Sequence, residues 1–292
     1  MGVVTALKIP TRDVVTRWAW ATLAANTVII LTGGLVRLTG SGLGCPEWPR
    51  CTEDSFVPTA EMGIHGAIEF GNRLLTYVLI AVAVGTWFAV RRWSASTSRL
   101  RLLATVLALG IPLQAVIGGI TVWTDLNPWI VSFHLLLSLG LVSLAVLLLV
   151  RVRGDSVTPV SRPVYGLVLT LFAVAWVVVY LGTIVTGAGP HAGDANVPRN
   201  GFDPAQWSHF HADAVYVFVG LGVGVFAALR AVSPVAARPA ALLLAVIVVQ
   251  GALGFTQYFT GLPIWMVAAH LVGAAAVIAA SAWTLFTVRP SR

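Results

Sequence analysis

The stretch IVSFHLLLSLGLVSLAVLLLV, residues 130–150, decides the fold of this chain. It contains no Asp, Glu, Lys or Arg, and a helix of about 20 such residues crosses the roughly 30 Å of hydrocarbon in a bilayer. Similar apolar runs occur at about 17–38, 64–90, 102–124, 164–186, 208–229, 239–260 and 265–287. The sequence therefore predicts an all-α integral membrane protein with eight transmembrane helices.

The composition supports a membrane protein over a soluble one. Of the 292 residues, 58% are hydrophobic and only 10% are charged, and the mean hydropathy is +0.88. A soluble protein of this length needs far more charge to cover its surface.

The basic residues are concentrated on one side of the predicted membrane. Fourteen of the eighteen fall at the termini or in alternate loops: Lys8, Arg12, Arg17, Arg91, Arg92, Arg99, Arg101, Arg151, Arg153, Arg162, Arg230, Arg238, Arg289 and Arg292. Acidic residues predominate in the opposite loops. Because positive loops stay in the cytoplasm, both termini are predicted to be cytoplasmic. This distribution explains the net charge of +7 without nucleic-acid binding.

The two halves of the chain repeat each other. Gln114 and His134 are separated by 20 residues, as are Gln250 and His270, and TGSG at 39–42 resembles TGAG at 186–189. Four spans per half give both halves the same orientation, which predicts two tandem four-helix bundles related by a pseudo-twofold axis along the membrane normal. The predicted division is 1–150 for the first half, 151–163 for a cytoplasmic linker, and 164–292 for the second half.

Four of the six histidines lie near the predicted outer ends of spans two, four, six and eight: His65, His134, His211 and His270. Helices with facing histidines can bind a haem iron between two imidazoles. A single intramembrane His often only hydrogen-bonds a neighbouring helix, but matched pairs at matched depth favour iron binding. Copper or zinc is the alternative, since His209 lies beside His211. His191 and His209 are interpreted as loop or interface residues.

The predicted second span carries a carboxylate on the same helix face as His65. Glu69 is four residues after His65 and four before Arg73, so it can either form a self-contained ion pair with Arg73 or act beside a haem. The equivalent position in the second half is Val215, which indicates that the halves have diverged. Arg37, at the end of span one, is a candidate to neutralise a haem propionate.

The only two cysteines, Cys45 and Cys51, lie in a predicted outer loop. Outside the cytosol such a pair is most simply a disulfide. A structural role and a redox role remain open.

The sequence LTGSGLGCPEWPRC at 38–51 resembles the first outer loop of haem A synthases. The motif IEFGNR at 68–73, both Gln…His segments and the eight-span duplication are similar as well, and the form resembles an actinobacterial member.

This resemblance implies a membrane oxidoreductase of haem A biosynthesis. The expected reaction is successive hydroxylation of the C8 methyl of haem O, giving a diol that dehydrates to the formyl group of haem A. The expected reaction-site residues are Glu69, His65 and His134, with His65 and His134 binding the substrate iron. His211 and His270 are expected to bind the iron of haem b, and Arg37 to contact a cofactor.

The chain departs from the family pattern at one position. The family commonly has a His where this chain has Asn72, so either His65 takes over as ligand or the substrate haem has one histidine and an open position. The internal repeat favours His65, because His65 registers with His211. The alternative functions are a dihaem b electron-transfer protein and a haem carrier or transporter.

The resemblance also implies partners and a location. Haem O synthase is the expected donor of substrate and cytochrome oxidase assembly the expected acceptor of product, while the electron donor is unidentified and a homo-oligomer is left open. The expected location is the bacterial plasma membrane, with the haem sites toward the outer face.

Overall fold

The structure, a computed structural model, describes residues 9–291, so Lys8 and Arg292 of the charge pattern lie outside the described residues. Within that range, eight helices are long and apolar enough to cross a membrane. They are α1 (Arg12–Leu38), α2 (Gly63–Arg92), α3 (Ser98–Trp123), α4 (Pro128–Arg153), α5 (Arg162–Ala188), α6 (Pro204–Val232), α7 (Pro234–Phe259) and α8 (Ile264–Phe286). The predicted eight-helix membrane fold is confirmed.

The helices extend beyond the apolar runs because their caps lie outside those runs. Helix α6 begins at Pro204 and α7 at Pro234, four and five residues before the predicted spans. Proline suits the first helical turn, since its ring fixes φ and its missing N–H needs no partner. Asp203 and Ser233 accept hydrogen bonds from the first turns of these two helices, as capping residues do.

Each half forms its own ring of four helices. In the first half α1 packs against α2 and α4, and α3 packs against the same two helices. In the second half α5 and α7 pack in the same way against α6 and α8. The histidine-bearing helices of each half therefore lie across the ring from one another. The pseudo-twofold axis, the division into halves at the stated residues and the cytoplasmic termini stay predictions.

The two rings join along α1, α4, α5 and α8. Helix α8 packs against both α1 and α4, and α4 also packs against α5. Gly34 of α1 permits a close approach, because a Cβ there would overlap the Leu271 side chain of α8. Small residues at such crossings allow helices to pack closely within lipid.

A short strand pair was not foreseen from the sequence. Strand β1 (Thr158–Val160) pairs in parallel with β2 (Val288–Pro290). The linker predicted at 151–163 is therefore tied to the end of the chain after α8. Each strand has only three residues and contains a proline, which is too short a run to show the alternation that predicts a strand.

Candidate functional site

His211 is held in one orientation by the neighbouring helix. Its Nδ1 lies 2.9 Å from the carbonyl oxygen of Val178. A carbonyl only accepts, so Nδ1–H donates and Nε2 keeps its lone pair. Metal-binding histidines usually have their second nitrogen anchored in this way. The ring lies against Gly182 of α5, where a Cβ would be 3.2 Å from His211 Cε1.

His270 lies in the same half as His211. Their helices, α8 and α6, lie across the second-half ring from each other and both pack against α5 and α7. The His270 ring lies against Gly254 of α7, where a Cβ would be 3.1 Å from Cε1. Its Nδ1 is buried and has no hydrogen-bond partner among the described residues. We call His211 and His270 together the second-half site.

The Gln…His spacing corresponds to the same contact in both halves. Gln250 Nε2 donates to the His270 carbonyl at 2.7 Å, and Gln114 Nε2 donates to the His134 carbonyl at 3.2 Å. Four residues after each glutamine stands a glycine, Gly254 or Gly118, on which the histidine ring rests. The repeat thus preserves a Gln–Gly–His arrangement that supports each ring from the adjacent helix.

His134 lies in the first half as His270 lies in the second. Each is six residues after the first residue of its helix. His134 Nδ1 is also buried without a partner within residues 9–291. Buried polar atoms are normally satisfied, so an Nδ1 unpaired among the described residues is a further feature that His134 and His270 share.

These donors fit a haem better than a bare metal ion. In the part of the chain that the structure describes, no three His, Cys, Asp or Glu side chains are grouped to hold a metal. A structural zinc site needs about four protein ligands, whereas a porphyrin supplies four nitrogens itself and needs only one or two from the protein. His209 is exposed, and His191 Nε2 donates to the Leu262 carbonyl at 3.0 Å.

His65 lies apart from the packed histidines. It is exposed, two residues into α2, and its Nδ1 is 2.9 Å from Ser41 Oγ. It lines a cavity of about 570 Å³ together with Gly44, Met62 and Asp194. This cavity lies among the loops that precede α2 and α6.

Glu69 and Arg73 hold the disulfide loop, which we define as Cys45–Cys51. Glu69 Oε2 accepts from the Cys45 N–H, and Oε1 accepts from Arg73 Nε and Nη2. Arg73 also donates to the carbonyls of Cys45, Glu47 and Arg50, at 3.0, 2.8 and 2.8 Å. Both carboxylate oxygens are therefore engaged with the loop or with Arg73.

The disulfide predicted between Cys45 and Cys51 is present, and both side chains are 0% exposed. The loop reaches across the first half to α3. Trp123 Nε1 donates to the Trp48 carbonyl at 3.1 Å, and the Trp48 ring lies against Gly119, where a Cβ would overlap it. The loop thus lies over the end of the first-half bundle where α2 begins and α3 ends, and it ties α2 to α3.

Arg37 lies at the junction of the halves. Its Nη2 donates to the Thr186 carbonyl at 2.8 Å, while its Nε is buried with no partner in the described range. It lines a cavity of about 190 Å³ with Arg199 and His191. Two guanidinium groups make this a candidate anion site.

Sequence reasoning missed Arg199 and the supporting role of Gly118, Gly182 and Gly254. Two of these glycines have a sequence signal, because each stands four residues after a repeated glutamine. Arg199 has none, since only the folded loop brings it to Arg37.

Comparison with known proteins gives a consistent result. The family model described as COX15-CtaA, cytochrome oxidase assembly protein, matches residues 16–282. A heme A synthase of Bacillus pumilus is 29% identical over 231 residues, covering 70% of this chain and 71% of that protein. One of Shewanella oneidensis is 29% identical over 181 residues, covering 57% and 53%. One of Geobacillus thermodenitrificans is 31% identical over 143 residues, covering 47% and 43%. The matched segment spans about half the length of these last two relatives.

Proposed function

Because this chain belongs to the COX15-CtaA family of cytochrome oxidase assembly proteins, we propose that it is a haem A synthase, a multi-pass membrane enzyme of haem A biosynthesis. Its substrate is haem O. Two successive hydroxylations of the C8 methyl, each using O₂, two electrons and two protons, give a diol that loses water to form the formyl group. The observation that carries this proposal is the Gln–Gly–His arrangement, present once in each half.

The two halves have different tasks in this proposal. His211 and His270 hold a haem b, which supplies electron transfer when bound. His211 is suited to this because the Val178 carbonyl fixes its tautomer. The first half binds haem O through His134. The sequence predicted His65 as the second ligand there, but His65 is exposed and its Nδ1 lies 2.9 Å from Ser41 Oγ, so in this proposal His134 alone binds the iron of the first half.

Arg37 is proposed to bind a haem propionate. Its buried Nε without a partner among the described residues, and Arg199 in the same cavity, favour a carboxylate there. A planar guanidinium matches a carboxylate in a bidentate geometry.

Glu69 is proposed to act in the reaction site through the loop that it holds. Its carboxylate fixes the Cys45 N–H directly and the Cys45, Glu47 and Arg50 carbonyls through Arg73. The loop then excludes water from the outer end of the first-half bundle. Glu69 is therefore a positioning residue, because its contacts are with protein groups.

The proposal also includes partners and a location. Haem O synthase donates the haem O, cytochrome oxidase assembly accepts the haem A, and the haem sites lie toward the outer face of a bacterial membrane. The test is haem extraction from membranes of a host that makes haem O but no haem A. The protein should add haem A, and His134→Ala should remove it while leaving haem b bound. A membrane-inserted protein that binds haem b and forms no haem A would instead support the dihaem electron-transfer alternative.

A further inference from the structure

We infer that Asn72, and not His65, is the side chain that α2 places opposite His134, so that the first half offers one imidazole where the second half offers two. This rests on the proposed function only in taking the first half to be a haem site.

The packing of α2 against α1 shows how far along the helix pair Asn72 lies. Asn72 lies against Gly33 of α1, where a Cβ would be 3.9 Å from Asn72 Nδ2. In the second half His211 lies against Gly182 of α5. Gly33 is five residues before the end of α1, and Gly182 is six before the end of α5. Asn72 thus occupies the level of its helix pair that His211 occupies in the other half, so the packing does not follow the sequence register that paired Glu69 with Val215.

His65 lies farther out than this level. It precedes Asn72 by seven residues, which is about 10 Å along a helix axis. The two residues share a face because seven residues make nearly two turns. His65 Nδ1 is 2.9 Å from Ser41 Oγ and the residue is exposed in the outer cavity. His65 therefore contacts loop residues and not the interior of the bundle.

Asn72 also has a side-chain oxygen that lacks a hydrogen bond among the described residues. Its Oδ1 is buried and has no hydrogen-bond partner in residues 9–291. A buried amide oxygen without a partner is unusual in folded proteins, and this oxygen is open to a hydrogen bond from a group bound in the first half. A carboxamide is a weak ligand for iron but can donate and accept hydrogen bonds.

The consequence is a difference in how firmly the two halves hold a haem. Two imidazoles on separate helices bind an iron as a chelate, because the second binding event is intramolecular. One imidazole gives no such gain. The second half is therefore suited to retaining a cofactor, and the first to admitting a substrate and releasing a product.

The experiment uses the full-length protein in detergent, loaded with haem b as the probe in both halves. Spin state is read by absorption and electron paramagnetic resonance, and haem release by transfer to excess apomyoglobin. The wild type should bind two haems, one low-spin from the second half and one that is not bis-imidazole. Asn72→His should convert the latter to low-spin and slow its release at least roughly tenfold.

His65→Ala is the matched control and should change neither spectrum nor release. The low-spin signal of the second half reports correct folding in every variant. Loss of a low-spin haem in His65→Ala, two low-spin haems in the wild type, or uptake of a single haem would each overturn the inference. Because no readout uses haem A formation, a protein that showed the expected spectra yet made no haem A would refute the proposed function alone.

Discussion

Replacing Glu69 by Gln should release the disulfide loop. The carboxylate accepts from Cys45 on one oxygen and from Arg73 on the other. A glutamine amide has only one acceptor atom, so its NH₂ group must face a donor on one side or the other. The substitution also leaves Arg73 without its counter-charge, although only 19% of the Arg73 side chain is exposed.

The expected change in the rate of disulfide reduction follows from these contacts. Breaking a buried ion pair by removing one partner costs about 3 kcal/mol or more. Cys45 and Cys51 are 0% exposed, so a reductant reaches the disulfide only when the loop opens. If the closed loop loses about 3 kcal/mol, the open population and the reduction rate rise about 100-fold, since each 1.4 kcal/mol is a factor of ten.

The assay is timed reduction of the purified protein by a water-soluble phosphine. Free thiols are then labelled with a polyethylene glycol maleimide and counted by gel shift. Glu61→Gln is the matched control, because Glu61 is exposed in the 3-10 helix Ala60–Met62 just before α2, and its rate should stay within about twofold of wild type. A Glu69→Gln rate equal to that of Glu61→Gln would refute the role of Glu69 in holding the loop.

Two further predictions concern the proposed haem b. His211→Ala should remove the low-spin haem b spectrum of the purified protein, whereas His209→Ala, an exposed histidine on the same helix, should leave it intact; an unchanged spectrum in His211→Ala would sink the second-half assignment. Arg37→Met should weaken haem b binding about tenfold, the effect of losing one charge-assisted hydrogen bond of about 1.5 kcal/mol, with partial recovery in Arg37→Lys, and equal affinities in a haem titration would rule out a propionate contact.

The sequence alone determined the eight long helices of this fold. Uncharged runs such as 130–150 must form helices in lipid, because their backbone groups have no water to bond with. The repeated Gln…His spacing marked His134 and His270, and the cysteine pair marked the disulfide. These features are short-range in sequence: each lies within one helix, within one loop or, for the Gln…His spacing, within two consecutive helices.

Only the tertiary structure decided which polar residue of α2 faces the interior of the first-half bundle. His65, Asn72 and Glu69 share one face of α2, and their spacing cannot say which of them meets the bundle interior. That depends on where α2 begins and on how α1 and the disulfide loop pack against it. Gly33 brings α1 against Asn72, Ser41 bonds His65 near the start of α2, and the loop engages Glu69. Those partners are distant in sequence, so only the folded chain assigns each polar group of α2 to its neighbour.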